Sequence, residues 1–236
     1  MVNNWLWISQ LMPAHCFLCG QTRPPAHGLC PDCYADLPRL PQACHQCGLP
    51  ISAQSHAAVC GQCLRTNPPF EQTLCAYVYA NPVRQLITQM KFSANLSLAG
   101  LLGELLCTEL HARIGERPEA LLPVPLHPRR LRQRGFNQSI ELARPLARSL
   151  QVPLLLDAVE RQLDTPAQTG LDKRQRRTNL RHAFAVRQPL PRHVAIVDDV
   201  ITTGQTVTAL ARCLKQAGIK RVDCYSVARA LSPATK

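Results

Sequence analysis

His193-Val-Ala-Ile-Val-Asp-Asp-Val-Ile-Thr-Thr-Gly-Gln-Thr-Val207 opens as a short apolar run of strand type and meets two carboxylates, Asp198 and Asp199. A turn bearing hydroxyls and a glycine follows. After it, Val207-Thr-Ala-Leu-Ala-Arg-Cys-Leu-Lys215 places apolar residues at 207, 210, 211 and 214, the spacing of one helical face. Strand, polar turn and helix form the half-unit of an open α/β sheet, and such sheets take ligands beyond the carboxyl ends of their strands. The helix start offers unpaired backbone N–H groups and favours an anion. Thr202, Thr203 and Thr206 add hydroxyls there, and Gly204 lets the backbone approach a phosphate that a Cβ would obstruct. Two carboxylates should repel a phosphate. They make sense if the ligand carries hydroxyls or a cation a few ångströms from its phosphate, as a ribose 5-phosphate does. A solvated acidic pair on an ordinary strand–turn–helix is the plain alternative, and a metal-binding pair is another. The spacing Thr-Thr-Gly-x-Thr favours the phosphate.

This stretch resembles the signature of type I phosphoribosyltransferases. The resemblance implies a phosphoribosyl diphosphate site in which Asp198 and Asp199 hold the ribose hydroxyls. Thr202, Thr203, Gly204, Gln205 and Thr206 would surround the 5-phosphate.

A different chemistry occupies the N-terminal quarter. Cys16-x-x-Cys19-Gly20 precedes Cys30-x-x-Cys33, and Cys44-x-x-Cys47-Gly48 precedes Cys60-x-x-Cys63. The repeat reads as two consecutive four-cysteine zinc ribbons, closed sites with no open position for catalysis. The intervening loops are too short and polar to build cores, so metal supplies their folding energy. Sequential pairing of the knuckles is favoured over a cross-brace. Redox C-x-x-C chemistry and ligand swaps from His15, His27, His45 or His56 are the alternatives, and four pairs in an internal repeat argue against the redox one. Cys75, Cys107, Cys213 and Cys224 fall within expected strands or helices and read as core thiols.

With 236 residues the chain suits one α/β domain plus a small module, and 46% hydrophobic residues suffice for a core. The expected division is an N-terminal extension (1–14), a double zinc ribbon (15–64), a proline-bearing linker (65–72) and an α/β domain (73–232). Met1 to Ile8 lacks the basic start of a secretory signal, and Leu96 to Leu106 is too short to span a bilayer and contains Glu104. With cysteines in metal spacing rather than a disulfide framework, the expected compartment is the cytoplasm. Strands are expected at 74–79, 120–124, 154–157, 193–199 and 222–227. Helices are expected from Pro82 to about Phe92, from Leu96 to Ile114 and from Ser139 to Leu150. Alternation of the two predicts a doubly wound, mostly parallel sheet.

The charge is lopsided: 27 Lys+Arg against 15 Asp+Glu, a formal +12, which favours a polyanionic partner. Between Pro123 and Arg187 lie thirteen Lys+Arg and five Asp+Glu. Arg129, Arg130, Arg132 and Arg134 form one expected loop, closing on Gly135, and Lys173, Arg174, Arg176, Arg177 and Arg181 form another. Guanidinium forks suit phosphate oxygens. A solvated charged face is the bland alternative. It is weakened because both runs share the expected ligand edge with the threonine turn.

Arg132-x-Arg134-Gly-Phe-Asn-Gln138, Lys91-Phe92, and Gln168, Leu171, Arg176, Asn179, Ala183 and Phe184, together with the acidic turn and paired ribbons, resemble the ComF family of bacterial competence. Within it the chain is most similar to the GntX branch, associated with use of external DNA as a nutrient. The resemblance implies a factor for incoming single-stranded DNA, with DNA-processing proteins as further partners and a phosphoribosyl diphosphate site served by Mg²⁺. An active transferase on a small nucleophile and a zinc-organised adaptor are the rival readings. In the transferase, Arg132, Arg134 and Arg176 would stabilise the leaving diphosphate. Lys91 and the two basic runs are the expected DNA or diphosphate contacts, with Phe136 and Phe184 the candidate stacking aromatics.

Overall fold

A computed structural model describes residues 15–22, 28–52, 54, 57–92, 95–163 and 183–231. Four strands form the main sheet: β1 (Gln72–Val78), β2 (Ala120–Pro123), β5 (His193–Ile201) and β6 (Arg221–Arg229). Their order is β1-β6-β5-β2 and every pairing is parallel. The inner strands are buried along almost their whole length, as expected of a sheet covered on both faces. On one face lie α3 (Val83–Phe92), α4 (Leu96–Leu110) and α6 (Gln138–Leu150), sharing a core with Leu74, Tyr77, Leu121, Val197 and Tyr225. On the other lies α7 (Gln205–Gln216), whose Val207, Leu210, Ala211 and Leu214 pack on Ile196, Val194, Cys224 and Cys75. Gly103 of α4 permits close approach to α6, because a Cβ there would sit 2.9 Å from Pro145 Cγ and 3.1 Å from the Leu142 carbonyl.

The second face extends into a short antiparallel pair, β3 (Val159–Arg161) with β4 (Phe184–Val186), which the periodicity did not announce because each strand has three residues. The expected strand at 154–157 is only an isolated bridge. Leu121 N donates to Pro153 O and Leu155 N donates to Leu121 O, and pairing stops there. The long helix ends at Leu110, continued by a single 3₁₀ turn over His111–Arg113.

The basic loop expected after β2 is instead a helix, α5 (Pro128–Arg134). His127 caps it by accepting from Arg129 N at 3.3 Å, Pro128 fits its first turn, and Gly135 closes it at φ 79°. These end signals outweigh the charge repulsion among its arginines.

Two short helices, α1 (Pro31–Ala35) and α2 (Gly61–Thr66), follow the second knuckles of the ribbons. The first ribbon is part of the helical-face core through Cys16, Leu29 and Cys30. The chain between the ribbons then runs antiparallel along the free edge of β1, with Val78 N donating to Pro38 O and Leu40 N to Ala76 O. The exposed edge is thereby covered. The second ribbon is fixed to the start of β1: Thr73 N donates to His45 O and Thr73 Oγ1 to Gln46 O. The 65–72 stretch, expected as a spacer, is packed down. Phe70 is buried against the second core, and Glu71 accepts from Val222 N and Lys215 Nζ. Among the described residues no helix is long and apolar enough to cross a membrane.

Candidate ligand site and zinc ribbons

The carboxyl end of β5 carries Asp198 and Asp199, and four other elements converge on them. Lys91, in the last turn of α3, places Nζ 2.9 Å from both carboxylate oxygens of the buried Asp199. Asp198 Oδ1 accepts from Asp199 N at 2.9 Å and from Ser139 Oγ of α6 at 3.4 Å. Ser226 of β6 donates to the Asp199 carbonyl. Desolvation in this cleft, then the neighbouring Asp199 charge, pushes the Asp198 carboxyl up to about 7, against the opposing fields of Lys91 and Arg161.

Arg134 reaches the same edge. Burial pushes its guanidinium down while Asp199 pulls it up, and Nη1 donates to Gln138 Oε1 at 2.7 Å. The Arg-Gly-Phe-Asn-Gln segment is a helix–glycine–helix corner over the end of β2. Asn137 caps α6 through Ser139 N and ties back by Nδ2 to the Val124 carbonyl. Arg129 and Arg132 are exposed on α5, and Arg130 is half-buried.

The turn between β5 and α7 has the expected form. Gly204 sits in the left-handed region at φ 75° as the helix cap, with Thr202 and Thr203 exposed and Gln205 and Thr206 in the first turn. Gln205 N donates to Thr203 Oγ1 at 3.4 Å. The second basic run, Lys173, Arg174, Arg176, Arg177 and Arg181, lies outside the described residues.

Packing bears on the two expected stacking aromatics. Phe184 is buried, under Arg161 at 5.6 Å, and so is not placed to stack on a base, whereas Phe136 is half-buried against the helical-face core. Tyr225, the aromatic of the last strand, is wholly buried in the sheet and walls no pocket. Phe92, beside Lys91, is 83% exposed. Residues the sequence did not single out are Ser139, Arg161 and Arg229. A buried cation or hydroxyl inside an apolar run is the one signal that could have found them.

Each cysteine tetrad comes together by sequential pairing. The Sγ atoms of Cys16, Cys19, Cys30 and Cys33 all lie within 4.8 Å of one another, as do those of Cys44, Cys47, Cys60 and Cys63. Cys19–Cys30 and Cys47–Cys60 are each 3.8 Å apart, the edge of a tetrahedron built on a Zn–S bond of ~2.3 Å. Cys30 N donates to Cys16 Sγ and Cys60 N to Cys44 Sγ. Burial raises these two thiols, but such backbone donors outweigh it and bring Cys16 to about 6 and Cys44 to about 7. The upward shifts of Cys19, Cys33, Cys47 and Cys63 describe the metal-free cluster, so it is the four-sulfur spacing that suits structural zinc, with His15 and His45 outside both tetrads. Cys75 and Cys224 are buried core thiols, and Cys107 and Cys213 are partly buried.

Comparison with known proteins accords with both halves. Residues 7–64 match the double zinc ribbon domain and residues 137–235 the phosphoribosyl transferase domain. The DNA utilization protein YhgH of Escherichia coli K12 is 39% identical over 226 residues, 93% of this chain and 99% of that protein. Competence protein F of Haemophilus influenzae is 35% identical over 86% of this chain and 91% of its own. Competence protein ComFC of Bacillus subtilis is 26% identical over 82% and 80%. The chain belongs to the ComF family. Its fold is a phosphoribosyltransferase-type parallel sheet preceded by a double zinc ribbon.

Two predictions follow from this geometry. Elemental analysis should give a zinc-to-chain ratio near two, matching the two tetrads, and Cys30→Ser should lower it to near one. A ratio near zero in native protein would return the C-x-x-C pairs to redox chemistry. The second concerns Asp198, whose folded value of about 7 lies above its ordinary 3.8. Between those values the native state holds a proton that the unfolded chain has released, so this group's contribution falls as pH rises through the window and is flat above it. Asp198→Asn should therefore gain in Tm relative to wild type as pH rises from about 4 to about 7. A Tm difference independent of pH would contradict the shift.

Proposed function

We propose that this chain is a cytoplasmic DNA-handling factor that binds incoming single-stranded DNA and holds phosphoribosyl diphosphate in the cleft above β5. The observation that carries the reading is a shared edge: the arginine helix α5 and the acidic pair meet at the carboxyl ends of β2 and β5, with Arg134 in the field of Asp199. In this reading the Thr202–Thr206 turn takes the 5-phosphate through backbone N–H groups and hydroxyls, and Asp198 and Asp199 accept from the ribose hydroxyls. Arg132 and Arg134, with Arg176, face the diphosphate. Asp198 and Asp199 would hold Mg²⁺ with the ligand, and the ion would supply charge neutralisation for the diphosphate.

DNA is supported by three things together. The chain carries a formal +12. Arg129 and Arg132 are exposed on one short helix, and Phe92, beside Lys91, is 83% exposed. Relatives sharing the whole architecture are named for DNA utilization and competence. The runs at 129–134 and 173–181 would track the backbone, and the ribbons would serve as a docking surface for DNA-processing proteins.

Fluorescence anisotropy with labelled single-stranded oligonucleotides tests this. Log K should fall with log salt at about −0.7 per phosphate neutralised, with weak sequence preference because one ring offers little stacking. Replacing Arg129 and Arg132 together should make the slope shallower by about 0.7 to 1.4. Millimolar phosphoribosyl diphosphate should compete if the sites overlap. Absence of binding at low salt would leave the basic edge to a small polyphosphate and make transfer to a small nucleophile the better reading.

A further inference from the structure

A groove of about 600 Å³ separates the second zinc ribbon from the threonine turn, and its lining includes Cys63, Phe70, Thr203 and Thr208. Arg229, the last residue of β6, spans it. The side chain is 4% exposed, and its guanidinium is spent on four backbone carbonyls. Nε donates to the Cys47 carbonyl at 3.0 Å. Nη1 donates to Ile201 at 2.8 Å, to Ala230 at 3.0 Å, and to Thr202. Cys47 belongs to the second zinc tetrad, and Ile201 and Thr202 open the turn. One rigid planar fork thus joins a metal ligand's own peptide to the two residues that set the turn's path.

We propose that Arg229 is a positioning residue that locks the Thr202–Thr206 turn to the second zinc ribbon, so that metal in that ribbon, and not in the first, holds the turn in shape. The chemistry of the fork supports this. A buried guanidinium needs every N–H satisfied and its charge compensated. The carbonyls take up Nε–H and Nη1, and a zinc ion held by four thiolates would be a net anionic centre beside it. Among the described residues the first tetrad has no such link: Cys16 and Cys30 are packed in the core on the opposite face of the sheet. Arginine is required because lysine offers a point charge, which cannot bridge Cys47 and the turn at once. The consequence for ligand binding rests on the reading of the turn as a phosphate cradle, but the lock itself does not.

Hydrogen–deuterium exchange on the full-length, zinc-loaded protein reads the lock directly, with no ligand needed. Amides of the 201–207 segment should exchange about tenfold faster in Cys60→Ser and in Arg229→Gln, and should be unchanged in Cys30→Ser. Arg229→Lys should fall between wild type and Arg229→Gln. Zinc content near one in both cysteine variants confirms that each has lost a single ion. Should Cys60→Ser distort the whole fold, exchange across β2 and α4 will rise too, and Arg229→Gln, with both ions retained, then decides. Equal acceleration in Cys30→Ser and Cys60→Ser overturns the proposal, as does unchanged 201–207 exchange in Arg229→Gln. Parallel titrations with phosphoribosyl diphosphate separate the two readings: a wild type that binds none defeats the ligand assignment and leaves the exchange result standing.

Discussion

Consecutive carboxylates at the buried end of a central strand cannot both remain charged without help, and much of this molecule is arranged around supplying it. Lys91 neutralises Asp199 from both oxygens, and Asp198 is left close to protonation at neutral pH with a backbone N–H and a serine hydroxyl on one oxygen. To make those contacts, α3 must end beside β5, and α6 must begin at Ser139 after a glycine corner. Arg134 must also turn inward while Arg129 and Arg132 stay exposed. Unpaired burial of either carboxylate would cost several kcal/mol. That cost is tolerated in native proteins mostly where charge is needed for a ligand. The compensation is incomplete by design in the proposed reading: a ribose and its cation would finish it.

The zinc ribbons are integral to the α/β domain. Their connecting segment pairs along β1, carbonyls of the second ribbon's knuckle accept from Thr73, and Arg229 reaches across to Cys47. Metal therefore supplies folding energy at two points of the sheet's perimeter. Each ribbon serves one face, the first against the helical layer and the second beside α7. This division explains why two similar motifs in sequence have different structural consequences.

Much of this was legible in the sequence where local chemistry and tertiary need coincide. The cysteine spacing gave ligand sets and pairing, and the turn from Thr202 to Thr206 gave a strand–turn–helix with Gly204 at positive φ. The charge run at 129–134 was misjudged as a loop because its residues have no apolar face. Yet Pro128 and Gly135 were end signals strong enough to make it helical. Three-residue strands such as β3 fall below any periodicity. Arg229 lies beyond the expected strand at 222–227, and its role is defined by carbonyls that only the folded chain brings near it. Phe92 was passed over for Phe136 and Phe184, since exposure of a ring is a property of packing and not of spacing.

The claim on which the account turns is that the acidic pair and the threonine turn together hold a phosphorylated ribose. Isothermal titration of phosphoribosyl diphosphate with Mg²⁺ into the wild type and into Asp199→Asn measures it most directly, with inorganic phosphate as the companion ligand. The account predicts that the wild type binds and that the variant binds at least about tenfold more weakly, as for loss of a charge-assisted hydrogen bond. Phosphate alone, which needs only the turn, should bind both equally. Equal affinity of both proteins for phosphoribosyl diphosphate, or no heat with either, would contradict it.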